Sequence, residues 1–427
     1  MIKFNRTWLF AILLLFVFTA CNKDDDDDDK QEETSVVEVL DEIMNEWYLW
    51  NDELPSLDVS NYNDLNSYFE DLLVDQDKWS FIANLDALLA YFEDGTYTGF
   101  GFDLKFENGE TVPRVSLVYD QSDLFSEGIT RSWKLIKISN QTTDGMSDDE
   151  LSRLLSNSSL NFIFESNSGE QKTLNLTKKE MNQNTVIKRS VIPTLNKKVA
   201  YLVFDSFLDS SEAELNEAFD YFKSAGAEEL VLDMRYNGGG STEIANQLSG
   251  LITGNVYKNQ IFSKYIFNES QSSTNFSEGF SDQTSAYGFS RIFVITTSGT
   301  ASASELIINS LEPYLGEENI ILIGSTTHGK PVGMNVFQVP EFNLAVLPIT
   351  FHITDKNNQG YYFDGIPVDH EVEDDITHDW GDIDETNLKA ALDYINNETF
   401  PATTARVKTE YKRQFVRKGL DELISAF

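Results

Sequence analysis

The chain has 427 residues, enough for two to four domains with a substantial core. Hydrophobic residues make up 41% and aromatics 12%, which excludes a mostly disordered protein. A formal net charge of -38 argues against nucleic acid and against attachment to anionic lipid by charge, because no cationic excess exists to neutralise phosphates.

Residues 1–20 carry Lys3 and Arg6, an apolar stretch from Trp8 to Phe18, and small residues before Cys21. This is the layout of a secretion signal whose apolar run is too short to span a bilayer comfortably. The ending "FTAC" resembles the lipobox of bacterial lipoproteins, in which the cysteine thiol takes a diacylglycerol and becomes the mature N-terminus. A plain signal peptide with a chance cysteine is the other reading. Cys21 is the only cysteine, so no intramolecular disulfide forms. Residues 21–34 hold six consecutive aspartates, Asp24 to Asp29, which repel one another and make an extended tether. Acidic residues there resemble a surface-export signal of some diderm bacteria, and also an engineered tag.

Residues 35–93 read as a helical module. Val36, Leu40, Ile43, Trp47 and Trp50 recur at spacings of three and four, as do Leu65, Tyr68, Phe69, Leu72 and Leu73, with a break at Pro55. Residues 94–180 change to short strands and turns: "YTGFGFDLKF", "KLIKIS", a short helix "SDDELSRLLSN", and a closing pair "LNFIFES" and "KTLNLTKK". Their number suits a small peptide-binding module. In residues 190–398 strands and helical patterns alternate, which predicts an α/β domain with its site at strand-to-loop edges. Residues 255–290 read as less regular. The tail, 399–427, is basic and reads as helical.

Three strand-end loops could carry chemistry: "DMRYNGGGS" (Asp233 to Ser241), "TSGTASASE" (Thr297 to Glu305) and "GSTTHGKPVG" (Gly324 to Gly333). The first lacks the spacing of a phosphate loop, and its free N–H groups suit an oxyanion hole. In the second, Ser302 and Glu305 fit a capping box, which places the serine at a helix N-terminus. A serine nucleophile needs a base. The four histidines, His328, His352, His370 and His378, lie in no Ser-His-Asp signature, and no Gly-x-Ser-x-Gly elbow occurs. Lys330 can serve if burial keeps it neutral, and no acidic residue adjoins it in sequence. On the residues alone, a Ser–Lys dyad and a capped helix beside a surface lysine both remain open. No metal-ligand cluster or cofactor motif appears.

Taken in order, the loops resemble those of the C-terminal processing peptidases (tail-specific proteases): Asp233-Met-Arg-Tyr-Asn-Gly-Gly-Gly240, Thr300-Ala-Ser-Ala-Ser-Glu305, and Thr327-His-Gly-Lys330-Pro, followed by "GIPVDHEV" (Gly365 to Val372). The resemblance implies a ββα-superhelix (ClpP/crotonase-like) core within a multidomain α/β protein, preceded by a PDZ-like domain and a helical module. It implies Ser302 as nucleophile, Lys330 as general base, and Gly239 with Ala303 as oxyanion hole. "SDLFSEGITRSWKLIKISNQ" resembles the family's PDZ module, making Gly99, Phe100, Gly101 and Phe102 the carboxylate-binding loop for a peptide C-terminus. Two departures stand out. Ser132-Trp133 replaces a Gly-Asp turn, and Met334 stands where many members carry a glutamine thought to orient the base. The expectation is a serine endopeptidase of the bacterial envelope, lipid-anchored through Cys21 to the outer membrane. Its partners would be protein or peptide substrates, not nucleic acid, and no cofactor is implied. The alternatives are a peptide-binding lipoprotein without turnover and, more remotely, a glycan-binding one.

Overall fold

The computed structural model describes residues 35–400 except 63, 93 and 108; the signal segment, Cys21, the aspartate tether and the basic tail lie outside the described residues. Apolar strand runs set the architecture. Lys198–Phe204, Glu229–Asp233, Ile292–Thr296, Ile320–Gly324 and His370–Glu371 form parallel neighbours, and Val186–Pro193 joins antiparallel at one edge. Their residues alternate between two cores. Ala200, Leu202 and Phe204 face Phe219, Leu248 and Ile307 of three helices, while Val199, Tyr201 and Val203 face Leu388 and Ala391 of the helix Thr386–Asn397. A parallel sheet covered on both faces explains why these strands read as unbroken hydrophobic runs. At roughly 25 cal/mol per Å² of apolar surface buried, filling both layers is the largest favourable contribution to the fold.

Two expectations need correction. The span 255–290 contains the strands Ile261–Phe267 and Phe276–Gly279, which extend a second, antiparallel sheet with Ile349–Thr354 and Val332–Met334. Polar residues such as Ser263, Lys264 and Ser277 obscured their period. The module 35–93 is not purely helical either. Its helices are Val36–Trp47, Leu65–Leu72 and Leu85–Phe92, and between the last two Phe81–Asn84 is a strand paired antiparallel with Leu344–Leu347. The first helix is fixed by a reciprocal capping box between Ser35 and Glu38. It buries Leu40, Ile43 and Met44 against Val332, Val346 and Ile349. The module therefore shares its core with the strands that follow Lys330.

Within 94–180, "YTGFGFDLKF" forms two strands. Thr96–Gly99 pairs with Lys179–Asn182, and Phe102–Lys105 pairs with Arg114–Val118 at the edge of a separate sheet. Ser132, standing where the resemblance expects glycine, holds φ +82°, and Trp133 is buried in the module's core. Ser132 thus takes a left-handed conformation without being glycine.

Candidate active site

The helix Ala303–Leu315 begins on Ser302, whose backbone lies at φ +56°, ψ -114°. This is the conformation of the first central residue of a II′ turn, normally occupied by glycine. Glu305, one turn on, is fully buried. Its Oε2 accepts the backbone N–H of Ser302 at 2.9 Å and that of Lys330 at 2.9 Å. Its Oε1 accepts the Thr327 hydroxyl at 2.5 Å and the Gly329 N–H at 2.7 Å. One carboxylate thus fastens the serine to the lysine loop. Because Ser302 N and Lys330 N share a single oxygen, they lie within a few ångströms of each other.

The lysine loop leaves the strand Ile320–Gly324 and is packed from both sides. His328 N–H donates to Thr300 O at 2.9 Å, and a Cβ at Gly329 (φ +92°) would fall on the Phe363 carbonyl. Burial pulls the Lys330 ammonium down to about 8, with the carboxylates of Asp77 and Glu305 pulling the other way. The sequence shows no acid beside Lys330; the fold brings two. Among the described residues no hydrogen bond joins the Ser302 hydroxyl to the lysine amine, and the two loops meet through backbone groups. Catalytic hydrogen bonds of this kind often tighten only when substrate binds.

The glycine loop closes on the serine from the third side. A Cβ at Gly239 (φ +102°) would meet Ser302 Cβ at 2.8 Å and Ala303 N at 3.0 Å. Ala301 N–H donates to Asn237 O at 3.0 Å and the Ser304 hydroxyl to the same oxygen at 3.0 Å. Gly239 and Ala303 therefore adjoin. The Gly239 N–H, however, donates to Asn237 Oδ1 at 2.9 Å, so that donor is already engaged. Ala303 supplies the first N–H of a helix, one of the groups that helical geometry leaves without an internal partner.

Behind the glycine loop lies a buried ionic cluster. Arg235 reaches Asp233 (2.8 Å), Asp374 (3.0 Å) and Glu385 (2.9 Å). Arg131, from the 94–180 module, donates to the Tyr236 hydroxyl at 2.9 Å and to Asp374 at 3.2 Å. Burial opposes ionisation of Asp374, but Arg131 and Arg235 outweigh it and hold the carboxyl well below the usual range.

The remaining expected residues fall elsewhere. Gly99 pairs with Lys179, Phe102 pairs with Val118, and Gly101 between them (φ +82°) packs on Ser122 and Met181. The rings of Phe100 and Phe102 lie 5.1 and 5.6 Å from that of Phe162. Met334 packs among apolar residues, including Leu344 and Val346, and has no polar role. His328 is exposed, and its Nε2 accepts the Trp79 indole N–H at 3.1 Å. Two contributors were not read from the sequence as parts of the site: Glu305 as a clamp and Asp77 as a neighbour of the lysine. The spacing in "DKWS" signals an Asp-led turn, but nothing local says what the turn faces.

A helix-borne serine, a glycine loop closed upon it and a partly buried lysine tied to the same carboxylate thus meet in one place. Residues 198–372 match the sequence profile of Peptidase family S41, and residues 35–81 match the Peptidase S41 N-terminal domain. The chain belongs to peptidase family S41. It is similar to the Carboxy-terminal processing protease CtpA of Bacillus subtilis (strain 168), 24% identical over 243 residues, covering 55% of this chain and 47% of that protein. It is also similar to a Carboxyl-terminal-processing protease of Picosynechococcus sp., 25% identical over 148 residues, covering 34% of this chain and 32% of that one. The chain thus spans about a third to a half of the curated relatives it matches. In fold it resembles a Bacteroides fragilis NCTC 9343 chain classed as an S41 protease, with a TM-score of 0.70 at 21% identity over 89% of this chain and all of that one.

Proposed function

We propose that the protein is a serine endopeptidase of the bacterial envelope, lipid-anchored to the outer membrane through Cys21, with Ser302 as nucleophile and Lys330 as general base. The observation that carries this reading is the Glu305 carboxylate, which holds the Ser302 and Lys330 backbones on one oxygen while burial lowers the lysine toward neutrality. In the acylation step the neutral Lys330 amine takes the Ser302 hydroxyl proton as Oγ bonds to the scissile carbonyl carbon. The carbonyl oxygen becomes an oxyanion facing the Ala303 N–H, with Gly239 beside it once Asn237 yields. Collapse breaks the C–N bond, and Lys330 returns the proton to the leaving amine. Water then attacks the acyl-enzyme with Lys330 again as base, releasing the acid and restoring the hydroxyl. The ββα-superhelix assignment of the core belongs to this proposal, and so does a PDZ-like role for 94–180. The open edge of Phe102–Lys105 supports the latter, because a substrate C-terminus could add there as a strand.

The sign of the pH dependence follows from the base. With Lys330 at about 8, roughly a tenth is neutral at pH 7, so kcat/KM rises through pH 8. Degradation of an unfolded test protein by wild type, Ser302→Ala and Lys330→Ala, each across pH 6–10, is the test. Both variants should lose activity. Equal activity in wild type and Ser302→Ala would sink the reading, and loss only in the serine variant would remove the dyad while sparing the nucleophile. A peptide-binding lipoprotein without turnover draws on the engaged Gly239 N–H; it would show C-terminal peptide binding with no cleavage in the same assay.

A further inference from the structure

The turn Asp77–Ser80 is the place where the N-terminal module meets the lysine loop. Asp77 is buried, and its Oδ1 accepts the backbone N–H groups of Trp79 and Ser80, each at 2.9 Å. Its Oδ2 accepts the Ser80 hydroxyl. These bonds come from the turn itself. They fix the carboxylate without neutralising its charge.

The turn is then docked at three points. The Trp79 indole N–H donates to His328, two residues before Lys330. The Ser80 hydroxyl accepts the Ile349 N–H at 2.8 Å, and Ile349 belongs to the strand paired with Val332–Met334, just after Lys330. Phe81 continues into the strand paired with Leu344–Leu347. Val332 itself is buried in one core with the module's Leu40, Met44, Tyr68 and Phe69. A tied, charged turn is thus held against both flanks of the lysine.

We propose that Asp77 is a positioning residue for Lys330: its carboxylate, fixed in a turn docked on both flanks of the lysine, favours the ammonium form and so sets the strength of the base. This rests on the reading of Lys330 as general base. The physical reason is a balance. Burial alone would leave the lysine a weak base, because an amine that sheds its proton too readily accepts the serine proton poorly; the effective base lies near the working pH. Two carboxylates counter the burial. Glu305 is spent on four hydrogen bonds that hold the loops, whereas Asp77 acts on the lysine through space, by its charge, from a separate element. The titratable groups around the base and its carboxylates are Asp77 from the N-terminal module, Tyr48 of the same module, which faces Asp77, Glu305 from the nucleophile helix, His328 on the lysine loop, and Tyr362, which faces Glu305.

Asp77→Asn separates charge from shape, since an amide oxygen can accept the same two backbone N–H groups. The readout is the Lys330 titration, followed by NMR of lysine labelled at the side-chain carbon next to nitrogen, in a Ser302→Ala background that needs no activity. The expected result is a fall of roughly half a unit or more on removing the charge, with the acid limb of kcat/KM moving down equally in the Ser302 enzyme. A folded Asp77→Asn protein whose Lys330 titration does not move would overturn the proposal. If Asp77→Asn does not fold, Asp77→Ser is read in the same way, because serine also supports such a turn. Failure of both to fold would assign Asp77 to architecture and likewise overturn the proposal. A shifted titration in a protein that cleaves nothing would leave this inference standing and sink the peptidase reading instead.

Discussion

Ser302 is a non-glycine residue in a backbone conformation that belongs to glycine, at φ +56° and ψ -114°. Such a position costs on the order of 1–3 kcal/mol, and it persists only where the surroundings enforce it. Here the enforcing group is Glu305, and the strained residue is the proposed nucleophile. Ser302→Gly should therefore be more stable than Ser302→Ala by about 1 kcal/mol, after allowing for the extra freedom glycine has when unfolded. Both should be inactive, and thermal unfolding of the pair is the check. Equal stability would mean that the backbone is not strained in solution. Glu305→Gln is the complementary substitution. It keeps the volume but aims an amide at donors that need acceptors, leaving buried N–H or O–H groups unmatched. We expect at least a hundredfold loss of kcat/KM and destabilisation of about 2–4 kcal/mol, measured by proteolysis and by denaturant unfolding.

At the scale of elements, the lysine loop shows what local sequence can and cannot say. The helix beginning after Ser302, the strands around it and the serine, glycine and lysine loops were all legible, because an apolar run ended by small residues is a local signal. The capping role of Glu305 was legible for the same reason. Its second role was not, because the partners of Oε1 lie more than twenty residues ahead and no periodicity encodes them. The strand Phe81–Asn84 was hidden likewise: it is four residues long, sits between helices, and is a strand only through its pairing with Leu344–Leu347. Gly329 tests how tightly the loop is held. With φ +92° and the Phe363 carbonyl where a side chain would go, Gly329→Ala must move one loop or the other. Expected are a kcat reduced tenfold or more and a lowered melting temperature, with kcat falling more than KM rises, because the substitution displaces the proposed base. A variant of wild-type kcat would show that the loop adjusts freely.

At the scale of the whole molecule, the 94–180 module is joined to the core by a charge that water cannot reach. The Arg131 side chain is fully buried and donates to Ser116 O within its own module, to Tyr236 beside the glycine loop, and to Asp374 and Asp375 O of the core. It also lies over the Trp380 ring at 4.0 Å. Removing one member of a buried ionic cluster leaves its partners unpaired, which typically costs about 3–5 kcal/mol. In Arg131→Met, Asp374 and Tyr236 lose a donor while Arg235 keeps its own partners. The core sheet should therefore stay folded, and the damage should concentrate at the module's seat and in residues 236–240. Hydrogen exchange would show it as faster exchange in the glycine loop with unchanged protection in Ile292–Thr296 and Ile320–Gly324. The cluster also has a pH limit. Asp374 is held below its ordinary value, so its contribution is fully present above the unfolded carboxyl pKa of about 4 and fades as pH falls through the folded one. Arg131→Met removes part of that contribution, so its melting temperature should drop less between pH 5 and pH 2 than that of wild type. A variant that tracks wild type in both exchange and acid sensitivity would mean that the module's seat does not depend on this arginine, and that the glycine loop is ordered from the core alone.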